Sequence, residues 1–137
     1  MLTGITLIKI ACAIYIVLGV VHAVLAQFTK AMHPVDSKVM EMNQSTHAYI
    51  TSQTSLWSGS IGFHLSHSLG LVIFGALYLI LALEIPEVLR DSAALAGVMI
   101  ASSLIYVFLS IKYWFYLPSI GLGLASALVI LGFLSAA

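Results

Sequence analysis

The sequence predicts an all-α integral membrane protein: a four-helix bundle, antiparallel and up-down-up-down, with a long loop between its first and second helices. Three observations predict it. Of the 137 residues, 61% are hydrophobic and only 7% are charged, which is not the composition of a soluble globular domain. Four stretches each approach or exceed the roughly 20 apolar residues that a helix needs to cross a bilayer. The connection after the second stretch is a short polar turn, and the one after the third is so short that it demands an antiparallel helical hairpin.

The first stretch runs over residues 5–27. Val24-Leu25-Ala26 resembles a signal-peptidase site, but Lys9 is almost the whole of the positive flank and the apolar run is long for a leader. A retained span is therefore expected. Residues 28–56 follow as a long mixed loop with enough chain for an interfacial helix around residues 37–42, where Val39, Met40 and Met42 mix with Lys38 and Glu41. The second span is predicted over 57–83. Residues 84–91 then read as a polar turn, in which Pro86 discourages helix continuation and Asp91 or Ser92 caps the next helix. The third span covers 92–117 and the fourth 119–137, joined over Tyr116 to Ser119, with Pro118 placed to start the last helix. All four belong to a single transmembrane domain over 1–137.

Charge excludes some partners. With five basic and five acidic residues the net charge is zero, so no clustered Lys or Arg is present to neutralise phosphates, and nucleic acid is not expected as a partner. The expected surroundings are the lipid bilayer and other membrane subunits or further copies of the chain. Four crossings put both termini on one side. Lys30, Lys38 and Lys112 against Lys9 and Arg90 leave the orientation undetermined. The single cysteine, Cys12, lies within an apolar run and is expected to be a small buried hydrophobe.

All five histidines are predicted to fall on the side of the long loop. His22 is near the end of the first span, His33 and His47 are in the loop, and His64 and His67 are near the start of the second span. Counting residues from the helix ends, His22 and His64 sit at matching depths of about 8–10 Å. Side chains three or four apart share a helix face. His22 therefore lies with Tyr15, Gly19 and Ala26, and His64 and His67 with Ser60 and Ser68. Gly59, Gly62, Ser66 and Gly70 occupy nearly the opposite face, which predicts a central helix with close neighbours. The fourth span carries a similar set in Gly121, Gly123, Ala125, Ser126 and Ala127. Ser102, Ser103, Tyr106, Ser110 and Tyr113 form a polar face on the third span that is a source of supporting hydrogen bonds. Tyr113, Trp114 and Tyr116, with Trp57 as counterpart, read as an interfacial aromatic belt.

Two chemistries compete for the helical histidines. One is interhelical hydrogen bonding to Ser or Tyr. The other is ligation, with His22, His64 and His67 as ligands of a metal or of a b-type haem. Copper is favoured over zinc because Met32, Met40 and Met42 stand near His33 and His47 in the loop, and thioether sulfur selects copper(I). No carboxylate is placed among the helical histidines, so a carboxylate-rich di-iron site is not expected. Gly-x-Ser-x-Gly, Walker A and dinucleotide fingerprints are all absent.

The segment Gly62-Phe63-His64-Leu65-Ser66-His67-Ser68-Leu69-Gly70 and the element Gly19-Val20-Val21-His22 resemble a group of small bacterial four-helix membrane proteins of unassigned function. The resemblance implies a bacterial inner-membrane location and directs attention to His22 and His67, with His64 at a variable position of the pattern. It implies no activity. Three functions are compatible with the residues. The first is a non-catalytic accessory subunit of a larger membrane assembly. The second is a copper- or haem-binding protein using His22, His64 and His67. The third is an enzyme acting on a lipid or quinone, with histidine shuttling protons and Tyr106 or Tyr113 assisting.

Overall fold

The computed structural model describes residues 3–136, which are almost entirely helical and contain no strand. The described residues form six helices: α1 (Gly4–Phe28), α2 (Ser37–Ser45), α3 (Leu56–Glu84), α4 (Pro86–Asp91), α5 (Ala93–Tyr113) and α6 (Tyr116–Ala136). By length and composition α1, α3, α5 and α6 can each cross a membrane. The fourth predicted span extends to Ala137, and the predicted domain includes Met1 and Leu2; these three lie outside the described residues.

Large apolar side chains point away from the protein along these helices. Val17, Leu77, Ile80, Phe108 and Leu124 are each more than half exposed. In water such a surface would drive aggregation. Against lipid it costs nothing, and it is what a spanning helix presents.

Local chemistry sets the boundaries. Asp36 caps α2, its Oδ1 accepting from the Lys38 amide at 2.8 Å, and the helix extends three residues further than the 37–42 expected. Ser92 caps α5, its Oγ accepting from the Leu95 amide at 3.3 Å. Two expectations are corrected. Residues 84–91 are not an open turn, because Pro86 opens the short helix α4, where its missing N–H costs no hydrogen bond, and the fully buried Leu89 anchors that helix. The last hairpin turns at Trp114 and Phe115 and not over Tyr116 to Ser119. Pro118 sits in the first turn of α6 after Tyr116 and Leu117, where no intrahelical partner for its nitrogen exists.

The chain divides into two compact units, Gly19–Gly70 and the remainder, so α1 and α3 each contribute to both. In the larger unit the core gathers Ile8, Cys12, Tyr15, Tyr78, Met99 and Val129. Tyr15 is fully buried, edge-on to Phe74 at 5.2 Å between ring centroids, with Tyr106 at 6.5 Å. Its hydroxyl meets Ser126 Oγ at 3.4 Å, and Ser126 donates onward to the Ser103 carbonyl at 3.2 Å. Buried polar groups thus find partners within the core, as an apolar surrounding demands. Ser103 and Ser110 donate to carbonyls of their own helix, Met99 and Val107 respectively. Cys12 is a buried free thiol, as its place in the first span predicts.

Close helix approach occurs at two glycines of this unit. A Cβ on Gly75 would lie 2.8 Å from the Cys12 carbonyl, and one on Gly132 would lie 2.9 Å from the Gly4 carbonyl. The small-residue set predicted on α6 is used in part: Ala125 and Ser126 are buried and Gly121 faces Leu18, while Gly123 has open space around it.

Candidate functional site: imidazoles and glycines on two faces of α3

Within Gly19–Gly70, α1 and α3 bring three histidines together. His22 Nε2 and His64 Nδ1 are 3.2 Å apart and hydrogen-bonded, one ring donating and the other accepting according to tautomer. Their ring centroids are 5.2 Å apart, and the His67 ring stands edge-on to His22 at 5.6 Å. All three rings are partly buried. Helical periodicity accounts for this: His64 and His67, three apart, lean to one side of α3, and His22 precedes the buried Ala26 by one turn on α1. Ser68, also buried, donates to the His64 carbonyl at 2.8 Å and not to a ring. Phe63 lies parallel to His67 at 6.4 Å between centroids, which shields one side of the cluster.

The direct hydrogen bond bears on cofactors. Two axial imidazoles on a haem hold their nitrogens about 4 Å apart with a flat macrocycle between them. At 3.2 Å, His22 and His64 leave no such slot. Among the described residues no group of three or more His, Cys, Asp or Glu side chains is placed, as it stands, to hold a metal ion. The cluster is a hydrogen-bonded imidazole pair with a third ring beside it.

The loop histidines part company. His33 folds back, its ring edge-on to Trp57 at 4.8 Å. A cavity of about 310 Å³ opens there, lined by Ala26, Gln27, His33, Trp57, Ser58 and Ile61. A second, of about 490 Å³, shares His33 and includes Lys30, Met40 and Glu41. His47 is exposed, with its Nδ1 3.1 Å from the neighbouring Ala48 carbonyl oxygen. Met42 is 65% exposed, and Met32, like Met40, is partly buried. Trp57 thus does more than belong to an aromatic belt, a role its position two turns before His64 on the same face hints at. Of the other belt residues, Tyr113 and Tyr116 are largely exposed.

The other face of α3 is bare. Gly59, Gly62, Ser66 and Gly70 are exposed, and a Cβ built on any of the three glycines would meet nothing within 4 Å. Among the described residues no close neighbour stands at these glycines; α3 makes its tight approach at Gly75 instead. Comparison of the chain with family models, with curated proteins and with solved structures finds no match.

Proposed function

We propose that this integral membrane protein is a non-catalytic subunit that assembles through the glycine face of α3, against a helix of another membrane protein or of a second copy. The observation that carries this reading is the contrast between its glycines. Gly75 and Gly132 are each pressed against backbone of α1, whereas Gly59, Gly62 and Gly70 line a face with open space above it. Glycine is about 0.8–1.0 kcal/mol poorer than alanine in a helix, a cost that close backbone approach offsets. In lipid, where packing drives association, a small-residue face is the surface on which another helix comes near. The resemblance to small bacterial four-helix proteins supports an inner-membrane setting.

Mild extraction followed by native mass spectrometry tests the reading. The wild-type chain should run as a larger assembly, and Gly62→Leu with Gly70→Leu should release it while leaving helicity unchanged. A wild-type chain recovered only as a monomer in every mild detergent would remove the proposal.

A further inference from the structure

We infer that His22, His64 and His67 form a binding site for a soft monovalent metal ion of the copper(I) class, reached from the loop side past His33. The distances carry the inference. Metal–imidazole bonds of 2.0–2.1 Å place two tetrahedral donors about 3.3 Å apart. His22 Nε2 and His64 Nδ1 are 3.2 Å apart. Adding the distance from nitrogen to ring centre, tetrahedral imidazoles hold their centroids about 5.2 Å from one another. The observed separations are 5.2 Å for His22 and His64 and 5.6 Å for His22 and His67. Both rings of α3 thus stand at or near this spacing from His22, although the three do not, as they stand, form a group able to hold an ion. Rotation about χ2, a soft torsion in histidine, brings them to bear without moving a helix. The ring that donates in the His22–His64 hydrogen bond carries its proton on its other nitrogen once the ion is bound, so neutral imidazoles take up the ion with no net change in protons.

The ligand set selects the ion. Three neutral imidazoles leave the full ionic charge on the complex, and Asp36 and Glu41, the acidic residues of Gly19–Gly70, belong to the polar loop and α2. Charge in a membrane interior is costly, and the cost rises with the square of the charge, which favours one positive charge over two. Imidazole suits copper, and thioether sulfur favours copper(I) over harder ions. Met40 lines the cavity that it shares with His33. The adjoining cavity is one helical turn outside the cluster, since Ala26 follows His22 by four residues and Ile61 precedes His64 by three. His33 borders both cavities and is placed to pass the ion inward.

The test uses the full chain in lipid nanodiscs under anaerobic conditions, titrated with copper(I) against a chromogenic chelator and, separately, with silver(I). One ion per chain is expected, with affinity at least 100-fold weaker in the His22→Ala, His64→Ala, His67→Ala triple variant. X-ray absorption of the copper-loaded wild type should show three nitrogen donors at about 2 Å, a readout that stands even if the triple variant fails to fold. His33→Ala should load several-fold more slowly to the same stoichiometry. No uptake, uptake that survives the triple substitution in a folded chain, a sulfur-only coordination shell, or zinc bound as tightly as copper(I) would each overturn the assignment. Equal loading rates with and without His33 would overturn the route. The Gly62 and Gly70 substitutions lie on another face of α3 and should leave uptake unchanged, so failure of assembly and failure of ion binding are separable.

Discussion

Gly75 of α3 packs so closely on Cys12 of α1 that a Cβ added to it would meet the Cys12 carbonyl oxygen at 2.8 Å and the Ile16 amide nitrogen at 3.2 Å. Both are backbone atoms, which no rotamer change can move aside. Gly75→Ala is therefore expected to destabilise the fold by about 1–3 kcal/mol, the usual cost of overpacking. Gly97→Ala, where a Cβ meets nothing within 4 Å, should be neutral or stabilising. Reversible unfolding in mixed micelles would compare the two; equal stabilities would show that the close approach is absent.

Tyr15 offers a polar counterpart. Its hydroxyl is 3.4 Å from Ser126 Oγ, a long contact, and Ser126 keeps the Ser103 carbonyl as a second partner. Tyr15→Phe should cost about 0.6 kcal/mol, the mean for interhelical hydrogen bonds in membranes. Tyr15→Ala removes a fully buried ring and should cost about 3–5 kcal/mol. The same unfolding assay reads both, and a Phe variant as damaged as the Ala variant would mean that the hydroxyl dominates.

α2 buries no side chain, so its cap supplies an unusually large share of its stability. Asp36→Ala removes the 2.8 Å hydrogen bond to the Lys38 amide and should cost α2 about 1 kcal/mol. Amide hydrogen exchange over residues 38–45 should then quicken roughly fivefold, with the spanning helices unaffected. Unchanged exchange in α2 would show that the loop holds the helix by other means.

Among the described residues Arg90 and Asp91 form the one ion pair, a fork with contacts of 2.7 and 3.2 Å. The hydrogen bond from Arg90 holds the Asp91 carboxyl below its ordinary value of 3.8. A depressed carboxyl stabilises the fold above that ordinary value and loses the contribution as pH falls through its lower folded value. Both side chains are exposed, so the effect is screened. Arg90→Ala is expected to leave the thermal midpoint at neutral pH unchanged and to alter only the acid limb below pH 3.8. A clear loss at neutral pH would contradict this.

Features governed by composition and period were readable from the sequence. The first two spans lie within a residue of the expected bounds because apolar runs and flanking polar residues mark them sharply. The meeting of His22 with His64 followed from face and depth, two quantities that helical geometry fixes. The turn after α5 was displaced because Trp114 and Phe115 are apolar and carry no turn signal, while Pro118 is equally at home inside the first turn of α6. The return of His33 onto Trp57 depends on how a long loop closes, and no local pattern encodes that. Nor does a row of glycines say which of them will be used: Gly75 lay outside the predicted stripe, yet there the helices touch.

The burial of Cys12 has a practical side. The chain's one thiol is sealed in the core at 0% exposure, so reagents added from outside have no native target. New cysteines at fully exposed places such as Tyr49 in the long loop, or at Arg90 on α4, can be introduced into the otherwise unmodified chain. Labelling intact cells with an impermeant maleimide would then report which of these positions faces outward.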